Sequence, residues 1–126
     1  MTPEEFTKAF AGAFGRHDAA SIAELLAADA EVLTLTGASV TGTEAAEAAF
    51  AAEFSGTFAA SRLVTGKLRL RELGAEAVIV TQKFVVSGAR DEAKTELPRF
   101  GALLTAVLVA DAEGWRAVNL IFSATA

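Results

Sequence analysis

Apolar residues in the first part of the chain recur at helical spacing. Phe6, Phe10 and Phe14 follow one another at intervals of four residues, which places three aromatic rings on one face of a predicted helix. The stretch Thr2-Pro3-Glu4-Glu5 has the spacing of a capping box with proline at the first helical position. The helix is therefore expected to begin there and to end at Gly15.

A second helix, one strand and a third helix follow. Asp18 is the expected N-cap of the second helix, and Glu31 to Thr36 is predicted to be a strand. Thr41 repeats the capping-box spacing and is expected to open the third helix, on which Phe50 and Phe54 lie four residues apart. The pattern therefore predicts a mostly helical first half of the chain.

From Ser61 onward the pattern changes to a period of two residues, which is typical of strands. Four long strands are predicted, over Arg62 to Glu72, Ala77 to Ser87, Phe100 to Ala110 and Trp115 to Ser123. Helices followed by strands favour an α+β fold in which the helices pack on one face of an antiparallel sheet. The length of 126 residues predicts one domain, residues 1–126.

The predicted strand from Phe100 to Ala110 is almost continuously apolar, so both of its faces should be covered. In a sheet with helices on one side, its outer face would meet water unless a second subunit lies on it. The composition indicates a subunit interface or an apolar cavity, because 52% of the residues are apolar even before the 10 glycines are counted. Average globular chains reach roughly 45–50% with glycine included. The sequence therefore predicts a homodimer formed through the face of the sheet.

The inventory of residue types excludes several classes of partner. Eleven Lys and Arg against 16 Asp and Glu give a net charge of -5, which offers no electrostatic attraction for nucleic acid or an anionic membrane. One His and no Cys cannot build a Cys/His zinc site or an iron–sulfur site, so no metal and no cofactor is expected. The acidic N-terminus lacks the features of a signal peptide, and no run approaches the roughly 20 apolar residues of a membrane span. We expect a cytoplasmic protein.

Acid–base chemistry has few candidate residues. The aspartates fall at predicted helix caps and connections, the glutamates fall on helix surfaces or near strand ends, and there is no Tyr. The single histidine, His17, precedes the cap Asp18 in a turn between two helices, where a structural role is expected. The sequence contains no nucleophile-elbow motif and no phosphate-binding glycine loop.

Two amide side chains stand among apolar strand residues. In the predicted strands Gln82 shares a face with Phe84, and Asn119 shares a face with Ala117 and Ile121. A buried amide needs hydrogen-bond partners or a ligand. Each of the two is therefore either a pocket residue or a residue of the outer sheet face or of an interface.

Several short stretches carry a family resemblance, and their order and spacing are more specific than any one of them. They are Phe14-Gly15-Arg16-His17-Asp18, Leu25 to Ala30, Gly37 with Gly42, Phe54 to Arg62, Leu104 to Val109 and Gly114-Trp115-Arg116. With this order of elements, essentially the whole chain resembles the NTF2-like (SnoaL-like) superfamily and, within it, the SgcJ/EcaC-type group. The resemblance implies a cone-shaped α+β fold, in which N-terminal helices pack on a curved antiparallel sheet and enclose a pocket.

The chain departs from related sequences at three positions that the family's architecture places at the pocket or its mouth. Related sequences usually carry Trp where Val40 stands, His where Phe50 stands and a Gln-Asn pair near Ile121-Phe122. These departures imply a drier cavity that is less equipped for proton transfer. Ketosteroid isomerase-like and scytalone dehydratase-like sites of the superfamily depend on Tyr, or on Tyr with His, and its aldol cyclases rely on an acidic residue and His. This chain has no Tyr and a single His, so the resemblance transfers no catalytic residue.

The SgcJ-type group is associated with gene clusters for enediyne polyketides. The first hypothesis is therefore a homodimeric accessory protein that binds an apolar polyene or polyketide intermediate in an aromatic cavity. The residues expected to line this cavity, with the two amides orienting the ligand, are Phe10, Phe14, Phe50, Phe54, Gln82, Phe84, Asn119 and Ile121. One alternative is a polyketide cyclase or isomerase. Its acid–base group would be His17, Asp29 or Arg99, or a water molecule held by Asn119. A second alternative is a non-catalytic scaffold dimer whose cavity is filled by its own side chains.

Overall fold

The computed structural model describes residues 1–125, which form three helices and six strands. The helices are α1 (Pro3–Gly15), α2 (Ala19–Ala23) and α3 (Thr43–Phe54). The strands are β1 (Leu26–Leu33), β2 (Ser39–Thr41), β3 (Arg62–Glu72), β4 (Ala77–Ser87), β5 (Phe100–Asp111) and β6 (Gly114–Ala124). The three helices and the four long strands confirm the predicted order of elements.

The six strands of the described chain form one sheet in the order β2-β1-β6-β5-β4-β3. β3 to β6 are an antiparallel meander, whereas β1 pairs with β6 in parallel, with Val32 opposite Leu120. After β2 the chain passes through α3 to β3, at the opposite edge of the sheet. The meander then runs back from β3 to β6, which lies beside β1 and parallel to it. The predicted α+β class is confirmed, and the sheet is mixed rather than purely antiparallel.

The first helix begins as its sequence predicts. Thr2 Oγ1 accepts a hydrogen bond from the Glu5 N–H, and Glu5 Oε1 accepts one from the Thr2 N–H, both at 3.2 Å. The hydrogen bond with the Thr2 side chain, and next the one with its backbone, lower the pKa of Glu5 because they favour the charged carboxylate. Asp18 caps α2 in a similar way, since its Oδ1 accepts the Ser21 N–H at 3.1 Å. Both predicted caps are confirmed.

Two predictions for the segment between α2 and α3 are wrong. β1 begins at Leu26 and ends at Leu33, earlier than the predicted strand Glu31–Thr36, because β6 offers pairing partners to the earlier residues. α3 has Gly42 as its N-cap without a side-chain hydrogen bond, since Thr41 belongs to β2. The predicted capping box at Thr41 therefore does not form.

The alternation along the central strands separates two faces of the sheet. Val80, Leu104 and Leu108 are fully buried on the inner face, on the side where α1 packs against β3 and β4, and α3 packs against β1 and β2. The other side, which we call the outer face, is exposed or half-buried in the described chain. Its residues on β4, β5 and β6 include Ile79, Thr81, Lys83, Val85, Leu103, Thr105, Val107, Val109, Asn119 and Ile121.

A β-bulge in β6 decides which of its residues point inward. The pairing of β5 with β6 shifts after Val107, which lies opposite Asn119, so that the next residue of β5 lies opposite Ala117. Ala117 is fully buried on the inner face, while Asn119 lies on the outer face. The predicted common face of these two residues is wrong, because the extra residue Val118 reverses the alternation.

Gly88, directly after β4, is a position where the backbone requires glycine. Its φ is +79°, and an added Cβ would lie 2.4 Å from the carbonyl oxygen of Ala60. We expect Gly88→Ala to lower the free energy of unfolding by about 2–3 kcal/mol, because left-handed strain and a backbone clash combine. Urea unfolding followed by circular dichroism measures this loss.

Gly37→Ala is the matched control for the clash. Gly37 also has a positive φ, +92°, but an added Cβ would meet no atom within 4 Å. We therefore expect a loss of about 1 kcal/mol, the cost of the left-handed conformation alone. Equal losses in the two variants would contradict the steric argument at Gly88.

Candidate functional site

Seven phenylalanine rings meet between the helices and the sheet, and we call them the aromatic cluster. Its members are Phe10, Phe14, Phe50, Phe54, Phe58, Phe84 and Phe122. Each ring centroid lies 5.0–6.3 Å from that of at least one other ring. α1 and α3 each contribute two rings, because residues four apart share a helix face. The turn after α3 and the inner faces of β4 and β6 contribute the other three.

The rings of the aromatic cluster pack mainly edge to face. Phe14 lies at its centre, with Phe54 at 5.0 Å and Phe122 at 5.5 Å and interplanar angles of 81° and 88°. Such geometry is favoured by the ring quadrupoles. Phe54 is the most exposed of the seven, at 9%. The chain's own side chains therefore fill the interior, and a ligand placed there would have to displace rings.

Six of the eight predicted ligand-binding residues lie on the inner side of the sheet. Five of them belong to the aromatic cluster, and these are Phe10, Phe14, Phe50, Phe54 and Phe84. The sixth, Gln82, is buried, and its Nε2 donates a hydrogen bond to the carbonyl oxygen of Gly66 at 2.6 Å. Gly66 lies where the pairing of β3 with β4 is irregular, between Thr65 and Leu68. Gln82 therefore stabilises a carbonyl group at the β-bulge of the neighbouring strand.

The other two predicted residues, Asn119 and Ile121, lie on the outer face. They border a groove of about 300 Å³ together with Glu31 and Leu33 of β1. The sheet separates them from the aromatic cluster, so the eight predicted residues do not line one common cavity. Alternation gives two faces to a strand but does not tell which one points inward, and the bulge in β6 changes the register further.

His17 lies at the rim of the aromatic cluster. It adopts a φ of 56°, its Nε2 lies 3.2 Å from the carbonyl oxygen of Ser61, and its ring meets Phe54 edge to face at 5.4 Å between centroids. The adjacent Asp18 has a lowered pKa, because the side chain and next the backbone of Ser21 donate hydrogen bonds to it. His17 thus joins the turn between α1 and α2 to the residue before β3.

Glu53 is a buried carboxyl group that the sequence pattern assigned to a helix surface. Oε2 of Glu53 accepts two hydrogen bonds from Thr36, one from its backbone N–H at 3.0 Å and one from its side-chain hydroxyl at 2.5 Å. Its Oε1 is buried and has no hydrogen-bond partner among residues 1–125. The sequence contained a signal for this burial. Ala46, Phe50 and Phe54 mark the buried stripe of α3, and Glu53 lies two helical turns after Ala46, on the same stripe.

The remaining acid–base candidates are placed differently from Glu53. Asp29 and Arg99, which the enzyme hypothesis names, are both exposed. Within residues 1–125, Glu53 is the one buried residue of an ionisable type. In the same range, no three His, Asp or Glu side chains come together as metal ligands. No helix in this range is long and apolar enough to cross a membrane.

The outer face combines apolar and basic side chains. Val109 and Ile121 are each 36% exposed there, on the two central strands β5 and β6. Lys67, Arg69 and Lys83 border a groove of about 200 Å³ toward the β3 edge. A sheet face with apolar side chains open to water is a feature of subunit interfaces.

Similar architectures occur in solved structures from several bacteria. A protein with a cystatin-like fold from Caulobacter vibrioides superposes with a TM-score of 0.87 at 15% identity, over 98% of this chain and 87% of that one. A ketosteroid isomerase-like protein from Erwinia carotovora atroseptica gives 0.82 at 13% identity, over 98% and 93%. The protein Aln2 from a Streptomyces species gives 0.76 at 19% identity, over 98% and 93%. At these identities the likeness shows the fold alone.

The sequence comparison identifies the family. None of the curated proteins matches the chain. Residues 4–126, however, match the model of the SnoaL-like domain. That match spans nearly the whole chain and agrees with the helices, the curved mixed sheet and the similar structures, and the chain therefore belongs to the SnoaL-like domain family.

Proposed function

We propose that the protein is a homodimeric accessory protein of polyketide metabolism, of the SgcJ/EcaC type associated with enediynes. In this proposal it binds an apolar polyene or polyketide intermediate among the rings of the aromatic cluster. The observation that carries the proposal is the cluster itself, seven rings that converge from α1, α3 and the inner face of the sheet. Such an interior offers an apolar ligand a large aromatic contact surface.

Apolar burial supplies the affinity in this proposal. Each buried CH₂ group contributes about 0.8 kcal/mol, so a chain of ten such groups offsets much of the cost of association without polar contacts. Phe54 is the ring through which we infer that the ligand enters, because it is the most exposed ring of the cluster and contacts the half-buried His17. The ligand then replaces ring-to-ring contacts with contacts to itself.

The outer face supports the dimer of this proposal. The outward residues of β5 from Leu103 to Val109 are apolar or threonine, and Val109 is as exposed as Ile121 on the neighbouring strand. Covering such a face with a second copy removes apolar area from water on both sides, and stable interfaces bury about 800 Å² on each partner. The ligand site on the inner face and the interface on the outer face then lie on opposite sides of one sheet.

Two other functions remain as alternatives. The close packing of the aromatic cluster favours a scaffold dimer that binds no small molecule. The buried carboxyl group of Glu53 favours a cyclase or isomerase, because buried carboxyl groups serve as general acids and bases.

Native mass spectrometry of the protein purified from its producing cells tests the proposal. We expect a species at twice the 13.0 kDa of the chain that carries a small-molecule adduct. A dimer without an adduct, together with no binding of added polyenes, would favour the scaffold. A monomer would contradict the interface on the outer face.

Variants at Phe54 test the site within the same measurement. Phe54→Asp places a carboxylate among the rings, and we expect the adduct to be lost because an unpaired charge there opposes an apolar ligand. Phe54→Leu keeps an apolar side chain and should retain the adduct. Far-UV circular dichroism checks that both variants are folded. Retention of the adduct by a folded Phe54→Asp variant would refute the proposed site.

A further inference from the structure

Glu53 lies in the buried stripe of α3, where an apolar residue would avoid the free-energy cost of burying a carboxyl group. The other members of the stripe, Ala46, Phe50 and Phe54, are all apolar, and Glu53 itself is 5% exposed. A buried oxygen without a hydrogen-bond partner costs free energy of folding, because it gives up its water and receives nothing in return. A residue that carries such a cost is a candidate for a functional role.

Thr36 fixes one half of this carboxyl group. Its N–H and its hydroxyl both donate to Oε2 of Glu53, so the loop between β1 and β2 sets the orientation of the side chain. Oε1 receives neither of these hydrogen bonds and has no other partner among residues 1–125. The carboxyl group is therefore held in place with capacity for one more hydrogen bond.

We propose that Oε1 of Glu53 forms a hydrogen bond with a hydroxyl group of the ligand that the aromatic cluster binds. This inference rests on the proposed function, and it narrows the ligand to an apolar intermediate that carries an alcohol, phenol or enol. The position suits this role because Glu53 precedes Phe54 directly and shares the buried stripe of α3 with Phe50. Residues three apart on a helix are neighbours, so a ligand that takes the place of the Phe50 ring would meet the side chain of Glu53.

The chemistry of a carboxyl group selects a hydroxyl among the possible ligand groups. A hydroxyl donates to an ionised carboxylate and accepts from a protonated carboxyl group, so it satisfies Oε1 in both states. A carbonyl group accepts only, and an ammonium group brings its own charge into an apolar interior at a high cost in solvation. Glu53 is thus a ligand-binding residue, and Thr36, which acts through it, is a positioning residue.

Two probes of nearly equal shape, 2-naphthol and naphthalene, separate the hydrogen bond from apolar burial. Equilibrium dialysis measures the affinity of the full chain for each. We expect the wild-type protein to bind 2-naphthol about 10-fold more tightly, the effect of one hydrogen bond. Glu53→Met has a similar length and no hydrogen-bonding group, so it should reduce the ratio of the two affinities to about 1. Glu53→Gln should restore most of the ratio, since its amide donates to the hydroxyl oxygen.

The ratio of affinities also separates a ligand contact from a purely structural role. If Glu53 merely holds the loop after β1, Glu53→Met and Thr36→Val will weaken the binding of both probes equally, and the unchanged ratio would overturn the proposal. If the wild-type protein binds both probes with equal affinity, the proposed role of Glu53 is overturned, and this result does not depend on a variant that folds. The proposed binding of apolar ligands by the aromatic cluster would still stand. Binding of neither probe overturns both this inference and the proposed function.

A crystal structure of the wild-type protein with 2-naphthol gives an independent measurement. We expect the naphthol oxygen within hydrogen-bond distance of Oε1 of Glu53, with the naphthalene rings among the side chains of the aromatic cluster. A naphthol oxygen that points elsewhere, with Oε1 still unpartnered, would overturn the assignment of Glu53.

Discussion

Replacing Phe14 with alanine is expected to lower the free energy of unfolding by about 3–5 kcal/mol. The ring of Phe14 is fully buried and contacts the rings of four other residues, two on α1 and α3, one in the turn after α3 and one on β6. Its removal leaves a cavity between the helices and the sheet, because several large rings cannot all move to fill it. Urea unfolding followed by circular dichroism measures the loss.

Phe14→Leu is the matched control for this variant. Leucine keeps most of the apolar volume and loses the edge-to-face ring contacts, so we expect a clearly smaller destabilisation than that of alanine. A loss below about 1 kcal/mol for Phe14→Ala would contradict the close packing of the aromatic cluster. It would then favour a loose interior that admits a ligand at little cost.

The helices and long strands were predictable because their signals are local. The spacing of Phe6, Phe10 and Phe14 gave α1, and the Thr2 capping box gave its first residue, since both depend on contacts within one or two helical turns. The period of two residues from Arg62 to Glu72 likewise predicted β3. Local hydrogen bonding and one-sided burial decide these elements, so the sequence alone was sufficient for them.

The pairing of strands was less predictable, since it depends on distant parts of the chain. β2 has three residues, too few to show alternation, and β1 extends back to Leu26 because β6 lies beside it. The bulge at Val118 leaves no trace in the pattern of apolar residues around it, yet it places Asn119 on the outer face. An error of one residue in register moves every later side chain to the other face.

The candidate site was predictable in its aromatic half and not in its polar half. The rings could be grouped because Phe50 and Phe54 repeat at helical spacing. The spacing of Ala46, Phe50 and Phe54 places Glu53 on the buried stripe of α3, but it does not reveal the partner of its carboxyl group, because Thr36 lies 17 positions earlier in the chain. The close packing of the rings is also a three-dimensional property, and it decides how a ligand can enter.

Membership of the SnoaL-like family gives the fold of this chain and leaves its chemistry to the residues of the site. The interior presents rings from α1, α3, the turn after α3 and the sheet, and a single buried carboxyl group among residues 1–125. That balance favours binding by apolar contact with one polar anchor. His17 lies at the rim of the aromatic cluster, and its Nε2, 3.2 Å from the carbonyl oxygen of Ser61, makes a structural contact there.

Replacing Ile121 with arginine is expected to convert the proposed homodimer to a monomer at micromolar concentration. Ile121 lies on the outer face of the central strand β6, opposite Thr105 and Leu33 of the adjacent strands. A two-fold interface brings the same face of both copies together, so each dimer would bury two new and unpaired charges. We expect the dissociation constant to rise at least about 100-fold, a loss of about 2.7 kcal/mol.

Sedimentation equilibrium measures this change, and Leu73→Arg is its control. Leu73 is 50% exposed but follows β3 in the turn at the edge of the sheet, away from the central strands, so the same substitution there should leave the dimer intact. Ile121 is already 36% exposed in the isolated chain, and an arginine there costs the folded monomer little. A folded Ile121→Arg variant that remains dimeric would place the interface elsewhere. In that case the apolar residues of β5 would require another partner to cover them.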